Sequence, residues 1–299
     1  MTLTANREYK DTVFKMVFSK KEDLLSLYNA VNETHYTNVD DLEVNTLENA
    51  IYMGMKNDLS FIFDSSLNIY EHQSTDNPNM PLRDLFYVAT LYEKMVGKKT
   101  IYASSRIKIP MPRFIVFYNG KDKCLPEVSE YRLSELYEIP ESFKKNNTFE
   151  EYDYDLELRV KVLNINTKMS YNIKKQCKKL REYCLYVEKV RELSKLKNIT
   201  EAVNEAIDYC IENDILRELL ISQRAEVEHM SIFEYNEAEE KQKLRDAERE
   251  AGREAGREAR NIEIITNMIS LGVCIEEIAK LVDIPLKDVE KYIRECIDK

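Results

Sequence analysis

The stretch from Ile51 to Ser74 constrains the fold most, because apolar and polar residues alternate on both sides of a short polar turn. Alternation with a period of two predicts β-strands, and the run Asp64-Ser65-Ser66 is typical of a turn between them. We therefore predict a β-hairpin in which Ser65 and Ser66 form a two-residue loop.

This predicted register places three polar side chains on one face of the hairpin. It pairs Asp58 with Gln73, and the parity of the strand puts Glu71 on the same face. Asp58 and Glu71 are then diagonal neighbours, about 7 Å apart at the backbone. Two such carboxylates can bind one Mg²⁺, with water and substrate phosphate as the other ligands. The residues alone leave two interpretations, a metal site or polar side chains on an exposed strand face.

The segments around the hairpin predict two helices and two further strands. Helical apolar spacing favours helices at Asp11–Val31 and Leu82–Val96, and strands are predicted near Glu48–Met53 and at Arg113–Tyr118. In the second helix, the residues predicted to face inward are Leu85, Phe86, Ala89, Tyr92 and Met95. The order of elements is helix, strand, hairpin, helix, strand, which indicates an α+β fold.

The middle of the chain is predicted to be mainly helical. Leu156–Ile165 alternates and predicts a strand at a sheet edge, and three helices follow at Tyr171–Leu196, Thr200–Asn213 and Ile215–Glu237. The first of these helices is strongly basic, with Lys174, Lys175, Lys178, Lys179, Arg181, Lys189, Arg191, Lys195 and Lys197 against three glutamates. Such a face either contacts phosphates or is simply the solvated side of an amphipathic helix.

The C-terminal part predicts a charged helix followed by a small three-helix module. Residues 239–260 contain a repeated Arg-Glu-Ala-Gly, which is typical of a charged linker helix and alternatively of a self-association helix with Gly252 and Gly256 at the contact. Asn261–Lys299 resembles a helix-turn-helix, in which Lys287 and Lys291 are candidates for DNA contacts. A trihelical interaction module is the alternative.

We predict four regions in the whole chain. They are a core at residues 1–145, an edge strand with a helical extension at 146–236, a linker helix at 237–260 and the three-helix module at 261–299.

Composition limits the kind of protein. A net charge of −10 argues against indiscriminate coating of nucleic acid but allows a local basic cleft. Six cysteines without a C-x-x-C pair, and three histidines, make a zinc site or a disulfide scaffold unexpected. The sequence lacks an apolar run long enough to cross a membrane. We expect a cytoplasmic protein that does not insert into membranes.

An ordered set of short motifs resembles the Rpn family of recombination-promoting, transposase-like nucleases, which belong to the PD-(D/E)XK nuclease superfamily. The resemblance covers roughly residues 7–260. Its residues are Asp11, Phe14 and Lys15, then Asp58, Glu71 and Gln73, then Arg83 and Tyr87, then Phe114–Gly120, and further positions including Leu163–Asn166, Cys177, Tyr183 and the Arg-Glu-Ala-Gly repeat. The fold it implies is a restriction-endonuclease-like core, a mixed central sheet flanked by helices, followed by an all-helical C-terminal region.

The resemblance implies Mg²⁺-dependent cleavage of DNA. Asp58 and Glu71 would bind the metal, and Gln73 stands where most of the superfamily has lysine. Glutamine can orient water or phosphate but supplies no charge. Asp11 matches a supporting acid.

The missing charge and the contacts to DNA are assigned to basic residues. Lys15 is the candidate for the charge that Gln73 lacks, and Lys15 and Arg83 are candidates for binding DNA. The alternative function is a weak or inactive nuclease fold that acts as a DNA-binding or regulatory module. The C-terminal helices are candidates for forming a homo-oligomer.

Overall fold

The computed structural model describes most of the 299 residues. The described residues are 13–44, 59–96, 100–102, 104–121, 124–139, 154–166, 168–282, 284–287, 289 and 292. Asp11, Asp58, Lys291 and the strand predicted near Glu48–Met53 lie outside them. The chain divides into two compact units, Met1–Ala238 and Glu239–Lys299.

The first unit is built on a mixed six-stranded sheet flanked by helices. Its strands, in sheet order, are β1 (Glu43–Val44), β2 (Leu59–Phe63), β3 (Ser66–Gln73), β4 (Met111–Tyr118), β6 (Arg159–Asn164) and β5 (Val128–Arg132). Strands β3, β4 and β6 are parallel, and the remaining pairs are antiparallel. The predicted α+β class is confirmed.

The hairpin forms, but its predicted register is wrong. The loop residues are Asp64 and Ser65, so that Ser60 pairs with Ile69 and not with Glu71. Both loop residues have positive φ, 47° and 58°. A tight two-residue hairpin loop of the I′ type needs positive φ at both positions, and aspartate adopts this region more readily than most residues. The shift is two positions along β3, so the assignment of side chains to faces is unchanged.

The central strands are buried on both faces. Phe61, Tyr70 and Phe117 belong to one hydrophobic cluster, whereas Ile69 and Val116 belong to another on the opposite face. Burial on both sides accounts for the continuous apolar run in β4, as expected for parallel strands.

The predicted strand at Leu156–Ile165 forms as β6, but its edge position is wrong. It pairs with both β4 and β5, so that β5 forms the edge of the sheet. Arg159 and Lys161 are exposed while the residues between them are buried. This alternation of exposed and buried residues is the pattern that the sequence analysis interpreted as an edge strand.

Nine helices are described. They are α1 (Val13–Val17), α2 (Lys21–Asn32), α3 (Met80–Val96), α4 (Tyr171–Gln176), α5 (Lys178–Leu193), α6 (Ile199–Glu212), α7 (Arg217–Ser222), α8 (Arg224–Ser270) and α9 (Ile275–Val282). Three of the helices predicted as continuous are divided. The breaks lie after Val17, at Cys177, whose backbone is extended, and at Gln223, between α7 and α8. The first described helix begins with the Val13 N–H donating to Glu234 Oε1 (2.8 Å).

The second unit contains a small apolar cluster. Ile265, Ile278 and Val289 are buried, and Ala279 and Ile284 pack against them. α8 runs without a break through both ends of the predicted linker helix, and the chain divides into its two units between Ala238 and Glu239, within two residues of the predicted start of that linker. Lys287 is exposed.

None of the helices in the described ranges combines the length and apolarity that a bilayer-spanning segment needs.

Candidate active site

The inward face of α3 differs from the one predicted. Phe86 and Met95 are 44% and 36% exposed, whereas Asp84, Tyr87 and Leu91 are buried. The helix packs on the sheet face that carries Ile69 and Glu71, where polar side chains take part of the buried stripe. Apolarity alone therefore selected the buried stripe only in part, because Leu85 and Tyr92 pack against this face as predicted whereas Ala89 is exposed like Phe86 and Met95.

Glu71 and Arg83 form the centre of this polar region. The Glu71 side chain lies near the end of β3 in the middle of the sheet, and the residue is only 4% exposed. Its Oε2 lies 3.7 Å from Arg83 Nη2, which also donates to the Tyr87 hydroxyl (3.1 Å). A buried carboxylate requires a compensating charge. Arg83, near the start of α3, supplies this charge.

Gln73 joins the same group of side chains. In the amide orientation that satisfies both of its polar groups, its oxygen accepts from Arg83 Nη1 (3.0 Å) and its nitrogen donates to the Thr75 carbonyl (3.3 Å). The guanidinium thus lies beside both Glu71 and Gln73. Arg83 therefore places a positive charge next to Gln73. The sequence had indicated Lys15 as the candidate for this charge.

The role of Lys15 stays a prediction. Lys15 is half-buried on α1, a helix whose apolar residues Val13, Phe14 and Val17 pack on the opposite face of the sheet.

Electrostatics keep Arg83 charged and Tyr87 protonated. Burial opposes the charge of Arg83, but Tyr87 and Glu71 more than offset it and raise the pKa of the guanidinium. Burial and then the charge of Glu71 raise the pKa of Tyr87 to about 12. Tyr87 is therefore a hydrogen-bonding group at neutral pH.

Asp84 is a polar residue of this region that the sequence analysis missed. It is 1% exposed, and neither carboxyl oxygen has a hydrogen-bond partner among the described residues. Burial raises its pKa to about 8, with the charge of Arg83 opposing part of the shift. The signal was available in the helical spacing of Met80, Asp84 and Val88, once an acid is allowed on the buried stripe.

The opposite face of β3 carries His72. Its ring stacks on Phe14 (centroids 5.1 Å apart), and its Nε2 lies 2.9 Å from the Tyr183 hydroxyl. Burial, with a contribution from the charge of Arg191, lowers the pKa of His72 to about 3. These contacts indicate a structural role for the His72 side chain.

The donor chemistry at Glu71 fits Mg²⁺ in part. Within the described ranges, no three His, Cys, Asp or Glu side chains are grouped so as to hold a metal ion. Glu71 and Gln73 do present oxygen donors, which Mg²⁺ prefers. Since Arg83 occupies one side of the Glu71 carboxylate, a metal there would need a second acid to bind well. Asp58 and Asp11, the candidates for that acid, lie outside the described residues.

A separate groove of about 950 Å³ opens at the amino-terminal halves of β4 and β6. Arg113, Phe114 and Arg159 are among the residues that line it. Glu71 and Gln73 lie toward the carboxyl end of the parallel strands, so the candidate active site is distinct from this groove.

No family model matches the chain, and neither a curated protein nor a solved structure does. Function is therefore inferred from the residues and their geometry.

Proposed function

We propose that the protein is a Mg²⁺-dependent endonuclease that hydrolyses phosphodiester bonds in double-stranded DNA with little sequence preference. The observation that carries this proposal is the meeting of Glu71 and Gln73 with Arg83 on one face of the sheet. These residues, with Tyr87, are also among those that resemble the Rpn nucleases. A charged group inside an otherwise apolar layer is costly and is typical of functional sites.

The fold supports the same assignment. The resemblance implies a mixed central sheet flanked by helices, and the structure has such a sheet, in which the hairpin strand β3 lies parallel to β4 with α3 between them in the chain. On this support we propose that the sheet is of the PD-(D/E)XK class.

Each side chain has a role in the proposed reaction, in which water adds to phosphorus and one ester P–O bond breaks. Asp58 and Glu71 would hold the metal, which when bound activates the phosphoryl group and water. Gln73 orients a water or phosphate oxygen through its amide. Arg83 supplies the positive charge that glutamine lacks.

Two further residues complete the assignment. Asp11 would support the site as an additional acid, and Lys15 would contribute a second positive charge for binding DNA.

Plasmid cleavage tests the proposal. The full-length protein with Mg²⁺ is expected to nick or linearise supercoiled plasmid, and EDTA should stop the reaction. Asp58→Ala and Glu71→Gln should each reduce the rate more than about 100-fold, because changes outside the ligand shell alone cost 10- to 100-fold. Glu218→Gln, which removes an exposed acid on α7, is the control. Full plasmid cleavage by both Asp58→Ala and Glu71→Gln would contradict the proposal.

A second candidate function is a DNA-binding module without turnover. The contact of Arg83 with Glu71 and the burial of that carboxylate favour it, because both oppose metal binding. Duplex DNA bound in EDTA, with no nicking in Mg²⁺ or Mn²⁺, would establish this function. Nicking that disappears in Glu71→Gln would exclude it.

The C-terminal unit is proposed to position the nuclease on DNA through Lys287 and Lys291. Self-association through α8 is the alternative. Gly252 and Gly256 are exposed there, and no described group approaches within 4 Å of a side chain added at either. Light scattering of the full-length protein distinguishes a monomer from a dimer.

A further inference from the structure

The loops that follow β4 and β6 are tied together at the carboxyl end of the parallel strands. Asn166 Nδ2 donates to the Gly120 carbonyl (2.9 Å). Arg191, near the end of α5, donates to Asn119 Oδ1 and to Asn166 Oδ1, each at 3.4 Å. The long distances indicate weak hydrogen bonds, so the guanidinium is positioned over both loops with capacity for a stronger acceptor.

Gly120 brings the next residue, Lys121, close to this guanidinium. A Cβ at Gly120 would lie 2.4 Å from the Ser74 carbonyl oxygen, so only glycine allows the loop to pass the end of β3. Partial burial and then the charges of Arg191 and Lys195 lower the pKa of Lys121. Arg191 donates to Asn119, two residues before Lys121, and Lys195 lies about one helical turn after Arg191. The three cations therefore lie close together, with Glu188 as the acid that acts on Lys121.

A fourth cation lies behind these loops. Lys174 is only 6% exposed, and its Nζ donates to the Asn166 carbonyl (2.8 Å). It adds positive charge beneath the loop that Arg191 contacts.

Part of the remaining predicted basic face is paired with acids. Lys178 and Lys179 lie 3.3 and 3.9 Å from Glu182, and Lys189 lies 3.2 Å from Glu192. Lys197 pairs with Glu205. In a chain of net charge −10, the concentration of positive charge at the end of the sheet is a local feature.

The cations also lie at the same end of the sheet as the candidate active site, although α5, which carries Arg191, packs on the opposite face of the sheet. The Asn119 N–H donates to the Gln73 carbonyl (3.0 Å), and Glu71 pairs with Val116, three residues before Asn119. At about 3.3 Å per residue, this separation is roughly 10 Å along the strand. Open sheets with parallel strands bind ligands outside the carboxyl ends of those strands.

We infer that Lys121, Arg191 and Lys195, the basic cluster, bind neighbouring backbone phosphates of duplex DNA next to the proposed cleavage site, with Lys121 and Lys195 each contacting one phosphate. The choice of DNA as the ligand rests on the proposed function, whereas the grouping of the cations is independent of that function.

The salt dependence of binding tests this inference without cleavage. A labelled DNA duplex is titrated with the full-length protein in EDTA, between about 50 and 200 mM salt. Lys121→Gln/Lys195→Gln is expected to weaken binding to all sequences and to reduce the slope of log affinity against log salt by about 2, one for each phosphate contact. Both lysines are exposed, and an unchanged melting temperature would show that the fold is retained.

Lys175→Gln/Arg181→Gln is the matched control. It removes the same charge from exposed positions on α4 and α5, and Arg181 lies about 15 Å along the helix from Arg191. Its slope should equal that of the wild type. An unchanged slope in the first variant, or an equal loss in the control, would overturn the phosphate site.

The outcome also separates this inference from the nuclease proposal. A reduced slope in a protein that does not cleave plasmid would support the phosphate site and contradict the nuclease. The opposite result would be plasmid cleavage that Glu71→Gln abolishes, together with an unchanged slope in Lys121→Gln/Lys195→Gln. It would support the nuclease and contradict the phosphate site.

Discussion

Two neighbouring residues of β3, Glu71 and His72, lie in different chemical environments on opposite faces of one sheet. On the His72 face, hydrogen bonds run from His72 through Tyr183 and Asn119 to Arg191, and aromatic rings fill the space around the imidazole. On the Glu71 face, Arg83 compensates the carboxylate, and Asp84 is buried with its oxygens without hydrogen-bond partners among the described residues.

The difference indicates which face is built for stability and which for chemistry. Buried polar groups in proteins are nearly always hydrogen-bonded, so exceptions require an explanation. The continuous hydrogen bonds around His72 stabilise the packing of α1 and α5 on the sheet. The incomplete hydrogen bonding around Asp84 leaves groups that can exchange a proton or bind a ligand.

The largest effect is expected from Phe14→Ala on the His72 face. Phe14 is fully buried and contacts the rings of His72, Phe117 and Tyr183, so its removal should lower the free energy of unfolding by about 3–5 kcal/mol. Denaturant unfolding measures the change. Phe86→Ala, on the half-exposed side of α3, should cost clearly less. Equal losses would contradict the assignment of the two surfaces.

The next effect concerns Arg83 on the Glu71 face. Arg83→Gln should reduce the rate of plasmid cleavage roughly 10- to 100-fold, because the charge beside Gln73 is lost. Arg83→Lys keeps a charge but not the planar fork and should recover part of the rate. Arg181→Gln is the control for loss of a surface charge. If Arg83→Gln cleaves plasmid as fast as the wild type, Arg83 has no part in the reaction.

The two faces should also respond to pH in opposite directions. The raised pKa of Asp84 means that the folded protein holds this proton more tightly than the unfolded chain does. Its contribution to stability is complete below the ordinary pKa of aspartate and is lost as the pH rises through about 8. The lowered pKa of His72 has the reverse effect, so stability is lost as the pH falls through the ordinary value of 6.5 towards about 3.

Asp84→Asn isolates the first of these effects. As the pH rises from about 5 to about 9, the free energy of unfolding of the variant should increase by about 4 kcal/mol relative to the wild type. About three pH units separate pH 5 from the Asp84 pKa of about 8, and each unit is worth about 1.4 kcal/mol. Unfolding curves at several pH values measure this gain. A difference that does not change with pH would show that Asp84 keeps its ordinary pKa in the folded protein.

The smallest effect lies in the turn that sets which residues oppose one another across the hairpin. Ser65 has a φ of 58°, so Ser65→Gly should increase the free energy of unfolding by about 0.5–1 kcal/mol. Ser66→Gly, one residue later and inside β3, should instead decrease it by a similar amount. Thermal unfolding distinguishes the two signs. Identical changes in the free energy of unfolding would contradict the observed loop and would favour the predicted loop of Ser65 and Ser66.

Much of the fold follows from the sequence, whereas the candidate site follows only in part. The alternation in Leu59–Phe63 and Ser66–Gln73 predicted both strands and placed Glu71 and Gln73 on one face. The contact of Arg83 with these residues was not predictable from spacing, since it depends on how α3 crosses the sheet. Asp84 was missed because an apolar stripe was expected where α3 buries an acid.

The sequence by itself determined the periodicities, a period of two in the central strands and near 3.6 in the helices, because backbone geometry makes them local properties. Tertiary structure decided the interior position of β6, the contact of Arg83 with Glu71 and the grouping of Lys121, Arg191 and Lys195. These depend on contacts between residues far apart in the chain, and the free energy of such contacts is set by packing and burial rather than by neighbouring residues.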